Sequence, residues 1–158
     1  MSTAYEGSTP GFLVWRLSMK WRVAVDRAVA PLGLTHAQYS LLASLYGLEY
    51  SGVQPSQRQL ADHTGLEALY VSKLARASEA AGLIERAKDP ADSRAVRLSL
   101  TARGREVTGS AIKVVQQLHG RMLAPLGGLG GARTKALAGE LAALLDVPLD
   151  GPLDVPEE

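Results

Sequence analysis

The sequence contains no cysteine, which excludes disulfides, thiol redox sensing and cysteine nucleophiles. Aromatic residues make up only 5% of the chain. No apolar run reaches the roughly eighteen residues of a transmembrane helix. Residues 1–11 lack the charged and apolar regions of a signal peptide. These absences predict a cytoplasmic protein with no membrane partner.

The net charge is only +1, but charge is unevenly placed along the chain. The segment from Arg58 to Arg105 carries nine lysines and arginines against six acidic residues, whereas the segment from Glu106 to Glu158 carries four against seven. A local basic excess favours contact with phosphates. We therefore look for a nucleic-acid surface in the middle of the chain.

Motifs of common enzymes are also missing. The three histidines (His36, His63 and His119) form no H-E-x-x-H arrangement, and no G-x-S-x-G is present. His36 lies within the capping box Thr35–Gln38, which favours a helix-start role over that of a base. We expect no enzymatic activity, no cofactor and no metal.

The stretch Ser56–Thr101 has the most informative pattern. It predicts a helix over 56–64 that opens with a capping box, a turn at Gly65, a helix over 67–81, and strands over 83–88 and 95–100. This order is that of a winged helix-turn-helix, whose second helix lies in the DNA major groove. The fold class is therefore mainly α with a small β-wing.

The second helix has two different faces. Val71, Leu74 and Ser78 are expected to point inward, with Ala75 and Ala81 near them. The opposite face carries groups that contact thymine methyls, bases or phosphates, namely Leu69, Ser72, Lys73 and Arg76, with Tyr70 flanking them. For a lone helix a solvated face would be the better interpretation, but the adjacent hairpin reverses that preference.

The tip of the hairpin contains Asp92 and Arg94. We expect the carboxylate to brace the guanidinium, which would then suit insertion into the narrow minor groove; the alternative is a solvated surface ion pair. Charge alone suggests that Arg86, Lys88 and Arg97 are phosphate contacts of the wing.

The flanking segments predict an assembly of two copies. Residues 1–11 are expected to be a mobile arm, and residues 12–34 a helix so apolar that its own domain and a partner chain must cover it. The winged unit spans 35–101 and dimerisation helices span 102–145. The acidic, proline-containing residues 146–158 are expected to be disordered.

Several segments resemble the MarR family of winged-helix transcriptional regulators. The matching segments are Gln59–Ala61, Gly82–Arg86, Asp89–Ala95, Leu98–Thr101 and Gly104, of which the wing segment Asp89–Ala95 is the most specific. The resemblance implies a homodimer whose terminal helices interleave. It also implies a repressor that binds a pseudo-palindromic operator on the bacterial nucleoid and is released by a small phenolic or anionic ligand.

The resemblance also assigns roles to residues. Recognition-helix contacts would be Leu69, Tyr70, Ser72, Lys73 and Arg76. Arg94 would enter the minor groove with Asp92 as its brace. Ser56 and Gln57 would lie where the first helix of the motif meets phosphate.

The chain departs from the family pattern at two positions. Glu67 stands where the family often has Ser or Thr, and Ser78 stands where it usually buries Leu. Since a carboxylate at Glu67 would repel phosphate, a winged-helix protein-interaction module without DNA readout stays open as an alternative.

In the family, effectors lodge between the dimerisation helices and the winged unit. Here the first two helices and the long helix after Thr101 would line that crevice. The candidate ligand residues, which suit a planar anion, are Trp15, Met19, Trp21, Arg22, His36 and Tyr39. The alternative, which we prefer for Trp15 and Trp21, is that these two rings belong to the dimer core.

Overall fold

The computed structural model describes residues 3–153, and it is mostly helical. The elements in chain order are α1 (Pro10–Val29), α2 (His36–Tyr50), α3 (Gln57–Thr64), α4 (Ala68–Ala80), β1 (Ile84–Lys88), β2 (Val96–Leu100), α5 (Ala102–Met122) and α6 (Ala132–Leu145). Short 3₁₀ turns lie at Thr3–Tyr5, Ala30–Leu32 and Ala124–Leu126. The predicted class, mainly α with a small β-wing, is confirmed.

The first helix begins earlier than the sequence pattern predicts. Thr9 caps it by accepting a hydrogen bond from the Phe12 amide (3.3 Å), and Pro10 occupies the first helical turn, where its missing N–H costs nothing. The prediction of a mobile arm over residues 1–11 is therefore wrong for its last two residues, which are helical. A 3₁₀ turn occupies Thr3–Tyr5. Residues 1 and 2 lie outside the described residues.

The core lies between α2, α3, α4 and the wing, and buried residues of α1 and α5 complete it. Its largest fully buried side chains include Leu41, Leu42 and Leu45 of α2 and Leu60 of α3. They meet buried residues of α4 and both strands. This packing fixes α4 against α3 and leaves the opposite side of α4 open to solvent.

The wing is an antiparallel pair in which Ile84 lies opposite Leu100 and Lys88 opposite Val96. Its outer edge is also occupied, because the Leu98 amide donates to the Pro55 carbonyl (3.0 Å) and Ser56 forms a bridge with Arg97. The alternation predicted for this strand is confirmed: Leu98 and Leu100 are buried, and Val96 is half-buried against the core.

Contacts divide the chain into two compact units, with the division after Leu118 inside α5. In the second unit, the Thr134 hydroxyl donates to the Gly128 carbonyl (2.6 Å) next to the start of α6. Residues 147–153 of the predicted tail have no helix or strand. Residues 154–158 lie outside the described residues.

Candidate nucleic-acid interface

The helix pair is built from two local signals in the sequence. Ser56 and Gln59 form the predicted capping box: the Ser56 hydroxyl accepts from the Gln59 amide (3.1 Å), and the Gln59 side chain accepts from the Ser56 amide (2.8 Å). Gly65 then ends α3 in the left-handed conformation (φ 71°), which glycine adopts at little cost. Glu67 is the N-cap of α4, and its side chain makes no capping hydrogen bond.

Helix α4 divides into the two predicted faces. Val71, Leu74, Ala75 and Ser78 are buried, whereas Ala81 is exposed, so its placement near the inner face is wrong. The reason is that Ala81 is the C-cap, where the chain turns away from the core.

The outer face of α4 combines apolar and cationic groups. Leu69 is 79% exposed and Tyr70 is 43% exposed, and Lys73 and Arg76 are exposed beside a half-buried Ser72. Exposing a leucine to this degree does nothing for the stability of the fold. A thymine methyl is a fitting partner for it in a major groove.

The role predicted for Asp92 needs correction. Its Oδ1 accepts a hydrogen bond from the Arg94 backbone amide (3.0 Å), and no ion pair joins Asp92 to the Arg94 guanidinium. A short carboxylate reaches the amide two residues on more easily than it reaches the end of a long side chain, which gives an Asx turn. Asp92 thus shapes the backbone of the tip, and Arg94 is exposed.

Two of the predicted wing cations are engaged inside the protein. Arg86 Nε lies 3.2 Å from Glu79 Oε1, and Arg97 Nε lies 2.8 Å from Asp89 Oδ2. The Arg97 hydrogen bond, followed by that of the Ala91 amide, holds the pKa of Asp89 below its usual value. Within the described part of the chain, Lys88 and Arg94 have no such carboxylate partner.

The start of α3 lies beside the wing. Ser56 and Gln57 are both half-buried, and the Ser56 hydroxyl is committed to its cap. The Gln57 side-chain oxygen is buried without a hydrogen-bond partner. Arg58, for which the sequence pattern predicts no role, follows as an exposed cation in the same helical turn.

A cleft of about 900 Å³ lies between α1, the start of α2 and the α3–α4 turn. Three of the six predicted ligand residues line it, namely Met19, Arg22 and His36; Trp15, Trp21 and Tyr39 do not. Trp21 and Tyr39 pack against the core, and Trp15 is 62% exposed on α1.

The wall of this cleft differs from the predicted one. No described residue of α5 lines it, so the expectation that the helix after Thr101 would do so is wrong. Instead Thr64, Leu66 and Tyr70 contribute, because the α3–α4 turn packs towards α2. The cleft therefore reaches α4, and no pattern in the sequence predicts this.

The polar groups of the cleft are organised around the start of α2. Asp26 Oδ1 accepts a hydrogen bond from the His36 amide (2.8 Å). Burial lowers the pKa of the His36 side chain, the nearby Arg22 lowers it further, and Asp26 opposes both. A lowered pKa favours the neutral form of the His36 side chain. Arg22 is the cation of the cleft.

Among residues 3–153, no group of three or more His, Asp or Glu side chains is arranged to hold a metal ion. None of the helices in that range is long and apolar enough to cross a membrane.

The two helices, the left-handed turn and the hairpin define a winged helix-turn-helix protein. The sequence profile of the MarR family matches residues 32–95. An uncharacterized HTH-type transcriptional regulator of Bacillus subtilis is 37% identical over 111 residues, which cover 70% of this chain and 76% of that protein. An HTH-type transcriptional repressor of Mycobacterium tuberculosis is 32% identical over 116 residues, covering 73% and 81% respectively.

Among solved structures, the transcriptional repressor CouR bound to a 23-mer DNA duplex superposes with a TM-score of 0.75. It is 28% identical and covers 92% of this chain and 98% of its own. The chain belongs to the MarR family of DNA-binding transcriptional regulators.

Proposed function

We propose that this protein is a homodimeric transcriptional repressor that binds a pseudo-palindromic operator and is released by a small ligand. Helix α4 would read the major groove, and Arg94 at the tip of the wing would enter the adjacent minor groove. The observation that carries this proposal is the exposed Arg94 side chain, which has no ion-pair partner among the described residues, at the end of a projecting ribbon.

The contacts proposed for DNA follow from exposure and pairing. Leu69, Tyr70 and Ser72 would meet base edges and methyl groups, while Lys73 and Arg76 would meet bases or phosphates. Phosphate contacts would come from Lys88 in the wing, and from the first turn of α3, where Ser56 and Gln57 lie and the helix dipole favours an anion.

Arg86 and Arg97 have a different place in the proposal. Both use Nε for an internal carboxylate, Arg86 with Glu79 and Arg97 with Asp89. Each of these two charges is therefore partly offset by a carboxylate before DNA binds. We assign them to shaping the wing, with any phosphate contact left to their terminal amino groups.

Dimerisation is supported by the surface of α1. Large apolar side chains of this helix that lie outside the cleft are between 39% and 62% exposed in the single chain, namely Phe12, Leu13, Val14, Trp15 and Leu17. Monomeric proteins rarely expose so many large apolar side chains on one helix. A second copy covering it would give the two-fold symmetry that an inverted-repeat operator requires.

The cleft beside His36 suits a planar aromatic anion. Arg22 supplies the cation, while Met19 and Val23 supply apolar contact. Because Tyr70 belongs both to the cleft wall and to the outer region of α4, an occupant would contact the DNA-reading helix directly. Ligand and DNA would then favour different positions of α4, and binding of one would weaken binding of the other.

The proposal is tested by selecting bound duplexes from random DNA with the parent and with Arg94→Ala. The parent is expected to enrich an inverted repeat with half-sites about one helical turn apart, and the variant to lose it or bind much more weakly. Lys135→Ala removes the same charge from exposed α6 and serves as the control. If the parent enriches nothing, DNA readout fails, and the protein-interaction module takes its place.

Release by ligand has a separate test. Salicylate, a planar aromatic anion, is titrated into the protein–operator complex, and the expected result is weaker DNA binding. Arg22→Ala should remove this response while leaving operator affinity unchanged without ligand. A response that persists in Arg22→Ala would place the anion elsewhere.

A further inference from the structure

All three ion pairs among the described residues lie at the wing or its two ends. They are Glu79 with Arg86, Asp89 with Arg97, and Glu49 with Arg105. Each carboxylate also accepts one backbone amide, from Arg86, Ala91 and Leu100 respectively. The acids therefore hold the wing backbone as well as neutralising cations.

Glu49 differs from the other two because it comes from a distant part of the chain. It lies in the last turn of α2, and its side chain is only 17% exposed. Its Oε1 accepts from the Leu100 amide (2.8 Å), 51 residues away, and its Oε2 lies 3.4 Å from Arg105 Nη2. One side chain thus joins α2, the end of β2 and the first turns of α5.

The Leu100 amide is on the outer edge of β2, where a third strand would otherwise pair. The neighbouring outward amide, that of Leu98, is taken by the Pro55 carbonyl (3.0 Å). Glu49 supplies the next acceptor along the same edge. Since Leu100 is 3% exposed, losing this acceptor would leave a buried amide without a partner.

We propose that Glu49 is a positioning residue for DNA binding, which fixes the base of the wing and thereby the place of Arg94. A two-stranded ribbon has little stability of its own, so its direction is set by what holds its base. Arg94 lies six residues from Leu100, two of them beyond the start of β2, and six extended residues would span about 20 Å. A rotation of about 5° at the base would therefore move the tip by about 2 Å, more than a hydrogen bond tolerates.

This inference rests on the proposed DNA binding, and it predicts a result opposite to that of simple electrostatics. Removing an acid from a DNA-binding protein should strengthen attraction to phosphates. If Glu49 positions the wing, Glu49→Gln and Glu49→Ala should both weaken operator binding although they remove the same charge. Glu49→Ala should bind the operator about tenfold less tightly than the parent. Glu49→Gln should lose less affinity, because glutamine retains an acceptor for the Leu100 amide.

The experiment measures operator affinity for the parent, the two Glu49 variants and the charge-matched control Glu106→Gln, an exposed acid on α5. Each Glu49 variant is also combined with Arg94→Ala. If Glu49 acts through the wing tip, its loss should matter little once Arg94 is gone. Thermal unfolding identifies variants that do not fold. If Glu49→Ala is one of them, the inference is tested by comparing the operator affinities of Glu49→Gln and Glu106→Gln.

Three outcomes overturn the inference. Glu49 variants that bind as tightly as the parent or more tightly remove the positioning role and leave the proposed function intact. An equal loss in the presence and absence of Arg94 shows that Glu49 does not act through the wing tip. A folded parent that binds no duplex refutes the proposed function and the positioning role together.

Discussion

Gly104 is the position where one added methyl group should disturb the wing most directly. It lies in the first turn of α5, and a Cβ placed there would collide with the backbone carbonyl of Leu83. Its backbone is in an ordinary conformation, so the clash is the only obstacle to alanine. The carbonyl cannot move freely, because it accepts the Thr101 amide (3.0 Å).

The expected cost of Gly104→Ala follows from this geometry. The Thr101 hydroxyl also donates to the Gly82 carbonyl (2.7 Å), so the start of α5 and the chain leading into β1 are tied at two places. Forcing a methyl group into such a rigid contact costs about 1–3 kcal/mol. For a chain of this size that corresponds to a fall in the unfolding midpoint of roughly 2–12 °C.

The matched control is Gly47→Ala. Gly47 lies inside α2, where a Cβ would meet no heavy atom within 4 Å. Alanine there should stabilise the protein by about 0.5–1 kcal/mol, because glycine is a poor helix former. The two substitutions are chemically identical and should shift the unfolding midpoint, followed by circular dichroism, in opposite directions. An unchanged or raised midpoint for Gly104→Ala would refute the argument from close packing.

Three further predictions concern charge and assembly. If Lys73 contacts phosphate, Lys73→Ala should lower the magnitude of the slope of log affinity against log salt concentration by about 1. Anisotropy titrations at several salt concentrations measure this slope. An unchanged slope would contradict the contact. The pKa of Asp89 is lowered in the folded protein, so its contribution to stability is present above its unfolded pKa and is lost as pH falls through the folded value. Asp89→Asn should therefore lose less stability than the parent when the pH is lowered. An identical dependence of stability on pH in the two proteins would refute this. Trp15→Glu should give a folded monomer in sedimentation, because the ring is exposed in the single chain, whereas an intact dimer would place the interface elsewhere.

Local signals in the sequence predicted the elements well. The capping boxes at Thr35 and Ser56 are formed as expected. The alternation over 95–100 corresponds to β2, since polar and apolar residues must face opposite sides of a strand. These features depend on residues within four positions of each other, so the sequence contains nearly all the information they need.

Long-range partners were not predictable in the same way. Glu49 and Leu100 are 51 residues apart, and nothing in the sequence marks them as neighbours. The helical pattern predicts that Tyr70 lies on α4 beside the DNA-contacting face. Its position in the cleft wall depends instead on how the α3–α4 turn packs against α2. Both contacts are consequences of tertiary packing, which periodicity does not report.

The net charge of the winged unit does not show which of its cations are paired with carboxylates. Arg86, Arg97 and Arg105 contribute to the basic excess, yet each is paired with a carboxylate in the structure. These acids do not simply weaken attraction to DNA, because each also holds a backbone amide of the wing. Neutralising some cations to fix the ribbon leaves Arg94 free at a defined place. In the proposed DNA complex, a wing tip held in one direction would present Arg94 to the narrow groove, whose negative potential attracts arginine.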